Sequence, residues 1–382
     1  MTDPSARVQG MLDEIIAIAP RSDWICDALR SVPRHPFIPT RALSVEGYDE
    51  RETLIDRNTD PTTWWASVYA DSTIITQVDD GAGAIELGAR KPTSSASAPS
   101  TVADLLKWLS PRSGDRVLEV GTGTGWTAAL LSYLVGDQGE VTSVEVDPVV
   151  AEQAAKNLAA AGVQPRLIVG DGAAGCPDRA PFDGVHVTCG IYRVPYAWVE
   201  QTRPGGTIVL PYDCGMGDGH GLRLRVVPGT GAVGRFTGFA SYMLMRAQRD
   251  ADGDSDERYT GETVTRLDPR MIGRASPGAR LAMAGLTGLR TRTLVQEGVF
   301  WLWVLDPEDP AQYAVVHGRP GDTEYPVYLY GDRPVWEEIT DAYFRWVGWG
   351  EPGRERFGMT VTPEGQRIWL DSPTQHPQPI HR

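Results

Sequence analysis

The chain has 382 residues, 41% of them hydrophobic and 23% charged, a globular composition with room for more than one domain. A formal net charge of −14 and a pI near 4.9 argue against an affinity built on phosphate neutralisation, so nucleic acid is not an expected partner. The first residues, Met1-Thr2-Asp3-Pro4, lack the basic-then-apolar order of a signal peptide, and apolar runs such as Val299–Leu305 are too short to cross a bilayer; a cytoplasmic protein without membrane contact is the expectation. The four cysteines (Cys26, Cys176, Cys189, Cys214) form no CxxC and the six histidines do not join them at ligand spacing, so no metal is expected and the thiols read as idle.

In chain order, residues 5–31 carry helical periodicity closed by Pro33 and Pro36, and 37–76 are mixed. Residues 79–100 read as an irregular loop ending in "TSSASAPS" (93–100), with Ser100 placed to cap a helix whose apolar positions are Val102, Leu105, Leu106 and Leu109. Strand and helix then alternate: strand 116–120, helix 126–135, strand 140–145, helix 149–161, strands 165–169 and 182–187, helix 195–201, strand 206–210. That spacing predicts an α/β, doubly wound, mainly parallel sheet with ligands at the carboxyl ends of its strands. The acidic run Asp250–Glu257 reads as a linker; it resembles a calcium loop, but Ser255 and Gly261 stand where that motif needs glycine and glutamate. Beyond it, 299–305 reads as a strand, 335–347 as an aromatic helix and 350–373 as a turn-linked strand pair. The expected organisation is an N-terminal helical and irregular segment (1–78), a ligand-binding core (79–249) and a smaller C-terminal α+β domain (250–382).

The densest glycine turn lies in "VLEVGTGTGWTAALL" (117–131), where Gly121, Gly123 and Gly125 separate a strand from a helix and leave room for a ligand to approach the backbone. Glu119 precedes the turn and Glu145 ends the next strand, an arrangement a dinucleotide site shares only in part. A pyrophosphate over the turn would be poorly served by a carboxylate at 119, whereas S-adenosylmethionine has no phosphate and carries cationic groups. The pattern resembles the first motif of class I, Rossmann-like methyltransferases. That resemblance implies S-adenosylmethionine as cofactor and S-adenosylhomocysteine as product, with Glu119, Gly121, Thr122, Gly123 and Gly125 around the turn, Glu145 and Val146 at the ribose, and Asp171 and Gly172 at the adenine.

A closer resemblance, to protein-L-isoaspartate (D-aspartate) O-methyltransferases, is carried by "VPRHPFIP" (32–39), "SAP" (97–99), "EVGTGTG" (119–125), "IVGDG" (168–172), "APFDGVHV" (180–187) and "RPGGTIVLP" (203–211). It implies that Ser97 is the catalytic serine steadying the substrate carboxylate; on residue type alone Ser94, Ser95 and Ser100 read as weaker members of the same clamp, and Thr188 ends its strand where it can line the site. A carboxylate is already ionised at neutral pH, so methyl transfer needs positioning by short neutral donors rather than a general base. His186 therefore reads as a packed, hydrogen-bonded core residue rather than a base.

The chain departs from that family at Ser100, at "TCGIYRVPYAW" (188–198), which brings Tyr192 and Arg193 to the substrate side, and in its long extension beyond Met245. The extension, with "FRWVGWGEPGRERFGMTVTPEGQRIWLDSP" (344–373), resembles that of actinobacterial methyltransferases tied to graspetide and lanthipeptide natural products. This implies a ribosomally made precursor peptide as partner, cyclised first by an ATP-grasp ligase or a lanthionine synthetase, whose L-aspartate is esterified and then closes to an aspartimide or yields isoaspartate. Trp336, Tyr343, Trp346, Trp349 and Trp369 read either as part of a peptide groove or as the small domain's own core. General isoaspartate repair is the alternative, and a non-catalytic cofactor-binding scaffold that recruits the precursor is the alternative of another class.

Overall fold

The computed structural model describes residues 4–18, 20–47, 51–88, 91–249 and 259–374. The acidic run 250–257, expected as a linker, lies outside the described residues.

The N-terminal part is made of α1 (Pro4–Ile18), α2 (Asp23–Ser31), β1 (Arg41–Glu46), β2 (Arg51–Asp56), α3 (Pro61–Val68), β3 (Thr73–Val78) and β4 (Pro92–Ala96). The four strands form an antiparallel sheet in the order β2-β1-β3-β4. Half of the serine-rich stretch is thus an edge strand rather than an irregular loop, with Ser95 opposite Ile75 and Ser94 opposite Gln77. Its small polar side chains suggested a loop, but an edge strand needs burial on one face only, and β3 supplies the ladder. The boundary expected after residue 78 consequently falls between two strands of one sheet.

The core comprises β5 (Arg116–Val120), α4 before it (Pro99–Leu109), α5 (Trp126–Val135), β6 (Glu140–Glu145), α6 (Pro148–Ala160), β7 (Arg166–Val169), β8 (Phe182–Val187), α7 (Tyr196–Glu200), β9 (Thr202–Tyr212), β10 (His220–Val227) and β11 (Gly231–Phe239). Strands β9-β8-β5-β6-β7 are parallel neighbours. From β5 the chain winds outward through β6 and β7, then returns to the other side of β5 at β8, so the topological switch point lies between β5 and β8. Strands β10 and β11, which the alternation did not announce, extend the sheet antiparallel.

The remainder holds β12 (Tyr259–Thr265), α8 (Pro269–Gly273), α9 (Pro277–Thr287), β13 (Arg290–Gln296), β14 (Val299–Leu305), β15 (Tyr313–Gly318), β16 (Tyr325–Tyr330), α10 (Val335–Gly348), β17 (Phe357–Thr362) and β18 (Gly365–Leu370). Strands β12-β16-β15-β14-β13 make a five-stranded antiparallel sheet, while the β17–β18 hairpin leaves it and pairs with β11, giving a central sheet of nine strands. The C-terminal unit therefore does not close on itself.

Both faces of the central sheet are covered. One face, with Val117, Val141 and Val209, packs against α1, α2, α4 and α5; the other, with Leu118, Val144, Val185 and Ile208, runs into one apolar cluster with α8, α9, α10 and β14. Trp336, Tyr343, Trp346 and Trp369 are all buried and Trp349 packs against the same cluster, so of the two readings of these aromatics the structure adopts the core.

Candidate active site at the switch point

A cavity of about 280 Å³ opens at the carboxyl ends of β5, β6 and β8. The glycine turn forms one wall. Gly121 and Gly123 both have positive φ, and a Cβ at Gly121 would stand 2.5 Å from the Thr188 hydroxyl, while one at Gly123 would stand 3.2 Å from the Ser95 carbonyl oxygen. No larger residue allows the turn to lie so close to both the end of β8 and the serine strand. Gly172 is required for a similar reason, since a Cβ there would meet Val120 at 2.5 Å.

The cavity brings together Ser94, Ser95, Ser97, Gly121, Thr122, Gly123, Glu145, Val146, Asp171, Gly172 and Thr188, most of the residues expected from the sequence. Glu145 is fixed at both oxygens, accepting from the Gly123 amide at 3.0 Å and from the Asp147 amide at 3.1 Å. Asp171 accepts from the Ala173 amide at 2.9 Å and lines the cavity. Thr188 donates to the Val120 and Gly121 carbonyls and so ties β8 to the turn.

Five expected residues lie elsewhere. Glu119 is fully buried beneath the turn, on the face toward α4 and α5, because the alternation of β5 sends it opposite to Leu118 and Val120. Its Oε2 accepts from Ser143 at 2.5 Å and Ser143 in turn meets Thr122 at 2.6 Å. Burial pushes its pKa up to about 8, against the pull of the Ser143 hydroxyl, so it is protonated at neutral pH and offers no negative charge to a cation. Gly125 caps α5 in the left-handed region and packs on Leu158, away from the cavity. Ser100 sits inside the first turn of α4, where its amide donates to Asp71 at 2.8 Å; Ala98, not Ser100, is the N-cap. Tyr192 and Arg193 line a second cavity rather than this one.

His186 is opposite Glu119 in the β5–β8 register and fully buried, and neither ring nitrogen has a hydrogen-bond partner among the described residues. The packing was expected; the hydrogen bond was not realised. Burial lowers its pKa to about 4, so it is neutral. Cys189 lines the cavity, but burial pushes its thiol up to about 12, which leaves it an inert wall.

Two contributors were not among the expected site residues. The first is a strap, residues 242–249, which follows β11 and crosses the carboxyl edge of the sheet by pairing with Gly190. It supplies Met243 to Ala247 and Arg249 to the cavity wall. Arg246 bonds Asp147 at 2.8 Å and Gln77 at 3.2 Å, and pairs with Asp80 at 3.0 Å, while Arg249 meets Asp80 at 2.9 Å. Burial opposes ionisation of Asp147, but hydrogen bonds from Gln77, Arg246 and the Val150 and Val149 amides hold it down to about 2. Tyr242 on this strap stands beside the Ser97 hydroxyl, and burial raises its phenol well above the usual range, keeping it a donor.

The second is Arg34, from the "VPRHPFIP" block. Its buried guanidinium donates to the carbonyls of Ser97 (2.8 Å), Ala96 (2.9 Å), Ser72 (2.9 Å) and Val68 (3.1 Å) and lies over the Trp126 ring at 5.3 Å. Burial lowers its pKa to about 9, opposed by Asp71, so it remains charged at neutral pH.

These residues fit S-adenosylmethionine better than a dinucleotide. Two carboxylates, Glu145 and Asp171, face the cavity, and its two cations, Arg246 and Arg249, are already ion-paired, leaving nothing to neutralise a pyrophosphate. Glu145 and Asp171 would hold the nucleoside and the glycine turn the remainder; when bound, the cofactor supplies an electrophilic methyl group. Ser97, following Ser94 and Ser95 of β4, lines the same cavity.

The profile of the family described as "Protein-L-isoaspartate(D-aspartate) O-methyltransferase (PCMT)" matches residues 7–218. A protein-L-isoaspartate O-methyltransferase of Methanopyrus kandleri is 35% identical over 212 residues, covering 55% of this chain and 76% of its own. That of Pyrococcus abyssi is 47% identical over 116 residues, covering 30% of this chain and 53% of its own. A solved structure titled protein-L-isoaspartate O-methyltransferase superposes with a TM-score of 0.55 at 22% identity over 96% of this chain and 100% of that one, a likeness of fold. The glycine turn, the paired acids and the serine strand thus meet in a chain that belongs to the protein-L-isoaspartate(D-aspartate) O-methyltransferase family, S-adenosylmethionine-dependent carboxyl O-methyltransferases.

Proposed function

We propose that the chain methylates the free α-carboxylate of an isoaspartyl residue in a polypeptide, with Ser97 as the residue that steadies the carboxylate. The supporting observation is that Ser97 lines the same cavity as the glycine turn, with Arg34 clamping its carbonyl and Tyr242 beside its hydroxyl. The reaction asks little else of the protein. The acceptor is ionised at neutral pH, the two candidate bases near the site are unsuited to the role (burial makes His186 a weak base and walls it off, and Cys189 is protonated), and alignment by neutral donors is sufficient.

A second reading, an L-aspartyl residue in a macrocyclised ribosomal precursor, rests on Tyr192 and Arg193, which border a large second cavity beside the active site. There, esterification would replace a poor leaving oxygen by methoxide, and attack by the next backbone nitrogen would close an aspartimide with loss of methanol. Incubation of the enzyme and cofactor with a linear isoaspartyl peptide, and separately with a cyclised L-aspartyl precursor, distinguishes the two by mass. A methyl gain on the linear isoaspartyl peptide, followed by loss of methanol as the succinimide closes, supports repair, and the same mass sequence starting from the cyclic L-aspartyl precursor supports the precursor reading. In either case Ser97→Ala is expected to lower kcat by about a hundredfold, the size of one lost positioning contact, with cofactor affinity by calorimetry near wild type. Undiminished turnover in that variant removes Ser97 from the site.

A further inference from the structure

The five-stranded sheet uses only one of its faces to cover the core. On β14 and β15 the inward residues Phe300, Leu302, Val304, Ala314 and Val316 are buried against α8 and α10, while the alternate residues Trp301, Trp303, Val315 and His317 are not buried. The register carries this outer face across the whole sheet. One unbroken row runs from β13 at one edge to β12 at the other: Arg292, Trp303, Val315, Tyr328 and Glu262. Beside it stand Leu294, Trp301 and His317, and Val264 opposite Pro326 continues the same side of the sheet on β12 and β16. None of these residues is buried. An antiparallel sheet that ends at water alternates apolar with polar side chains, whereas here Trp301 stacks on Trp303 at 6.1 Å and lies 4.4 Å from the His317 ring, which stacks on Tyr328 at 5.8 Å. A contiguous aromatic face of this kind marks an interaction surface.

The distribution of charge on the row says what covers it. Its only charges stand at its two ends, Arg292 on one edge strand and Glu262 on the other; both are exposed, and neither makes an ion pair among the described residues. In the order β12-β16-β15-β14-β13 the central strand is β15, and a two-fold axis along it exchanges the edges, so that β13 of one copy faces β12 of a second. That rotation sets Arg292 against the partner's Glu262 and Glu262 against the partner's Arg292. It also sets Trp303 against the partner's Tyr328, Val315 against its own counterpart, and apolar Leu294 on β13 over the β12 strand that carries Val264. Two sheets of equal twist nest when packed in this aligned way. Five strands about 4.8 Å apart and six or seven residues long give a footprint of roughly 500 Å² per copy, about 1,000 Å² for the pair, which reaches the lower bound of a specific interface. Nucleic acid, the other common occupant of an aromatic sheet face, is disfavoured by the net charge of −14.

From this self-complementarity we propose that the outer face of the five-stranded sheet is the interface of a homodimer, in which two copies of the chain pack face to face about an axis along β15 with an Arg292–Glu262 pair at each edge. The modest footprint makes the association reversible, with a dissociation constant in the micromolar range. None of these residues lines the methyl-transfer cavity, so the inference stands apart from the reading of that site.

The test is sedimentation velocity of the full chain over micromolar loading concentrations, where the mass is expected to rise from 41.6 kDa toward twice that value. Arg292→Glu and Glu262→Arg change exposed side chains, and each is expected to weaken association by about tenfold, because in either homodimer like charges then face one another at both edges. An equimolar mixture of the two variants places opposite charges at both edges again, and its association is expected to return to within about twofold of wild type. That recovery also shows that both variants are folded. A wild type that stays monomeric across the range, a dimer that neither charge reversal weakens, or weakened variants that do not associate on mixing each overturn the proposal.

Discussion

At the scale of single residues, the informative case is Glu119, since its position two residues before the glycine turn is legible in the sequence and its role is not. A motif records which residue types follow one another, whereas the alternation of β5 decides which face each one meets. Here it places a carboxyl and the His186 imidazole side by side in the sheet, both fully buried. Their linkages to folding run in opposite directions. The folded-state pKa of Glu119 is raised to about 8, so the folded chain holds a proton that the unfolded chain releases above its ordinary value of 4.5, and stability falls as pH rises from there through 8. His186, lowered to about 4 from 6.5, makes the unfolded chain bind the extra proton, so stability falls as pH drops from 6.5 toward 4. Glu119→Gln keeps the shape and removes the first slope: thermal melts are expected to show the variant gaining most over wild type near pH 8 and least near pH 5. A difference that does not vary between those pH values would show that Glu119 is ionised in the folded protein.

At the scale of elements, the site depends on a strand whose sequence resembles a linker. Pro92–Ala96 has little apolar content, and its order comes from β3 on one side and from Arg34, some sixty residues earlier, on the other. The parallel-sheet elements were readable because each has its own period of two or 3.6, and β5, β6 and β8 lie where alternation places them. The serine strand and the 242–249 strap were not, because partners distant in sequence determine both. Replacing Arg34 by alanine strips the donor from four carbonyls, three of them on buried residues, at a cost on the order of 3 kcal/mol or more. Arg34→Lys retains the charge but cannot fork across four acceptors. Denaturant melts are expected to rank wild type above Lys above Ala, with turnover in Arg34→Lys falling further than stability because Ser97 loses its register. Full activity in the lysine variant would show that the serine strand holds its position through β3 alone.

At the scale of the whole molecule, the change of character after residue 250 suggests an appended domain, and the residues beyond it build a five-stranded sheet, β12-β16-β15-β14-β13, with helices α8 to α10. What the sequence could not show is that the chain returns: β17 pairs with β11, with Ala232 opposite Val361 and Gly234 opposite Met359, so the last strands of the extension complete the sheet that the glycine turn begins. Phe357, Met359 and Val361 are buried in the same cluster as Leu222 and Phe236 of the core. A short hairpin "GMTVTPEGQRI" is readable as a hairpin, but its partner strand is set by a contact spanning more than a hundred residues, which no local pattern encodes. Two consequences separate this arrangement from a detachable domain. A chain ending at residue 249 would leave β11 as an unpaired edge and strip the cover from one face of the sheet, both of which favour aggregation. A chain ending at residue 353, which keeps the five-stranded sheet and removes only the hairpin, is expected to fail in the same way although its own sheet is intact. Soluble yield and size-exclusion profiles check both: a soluble, unaggregated, cofactor-binding product from either truncation would mean that the core is stable without the strands that β11 receives.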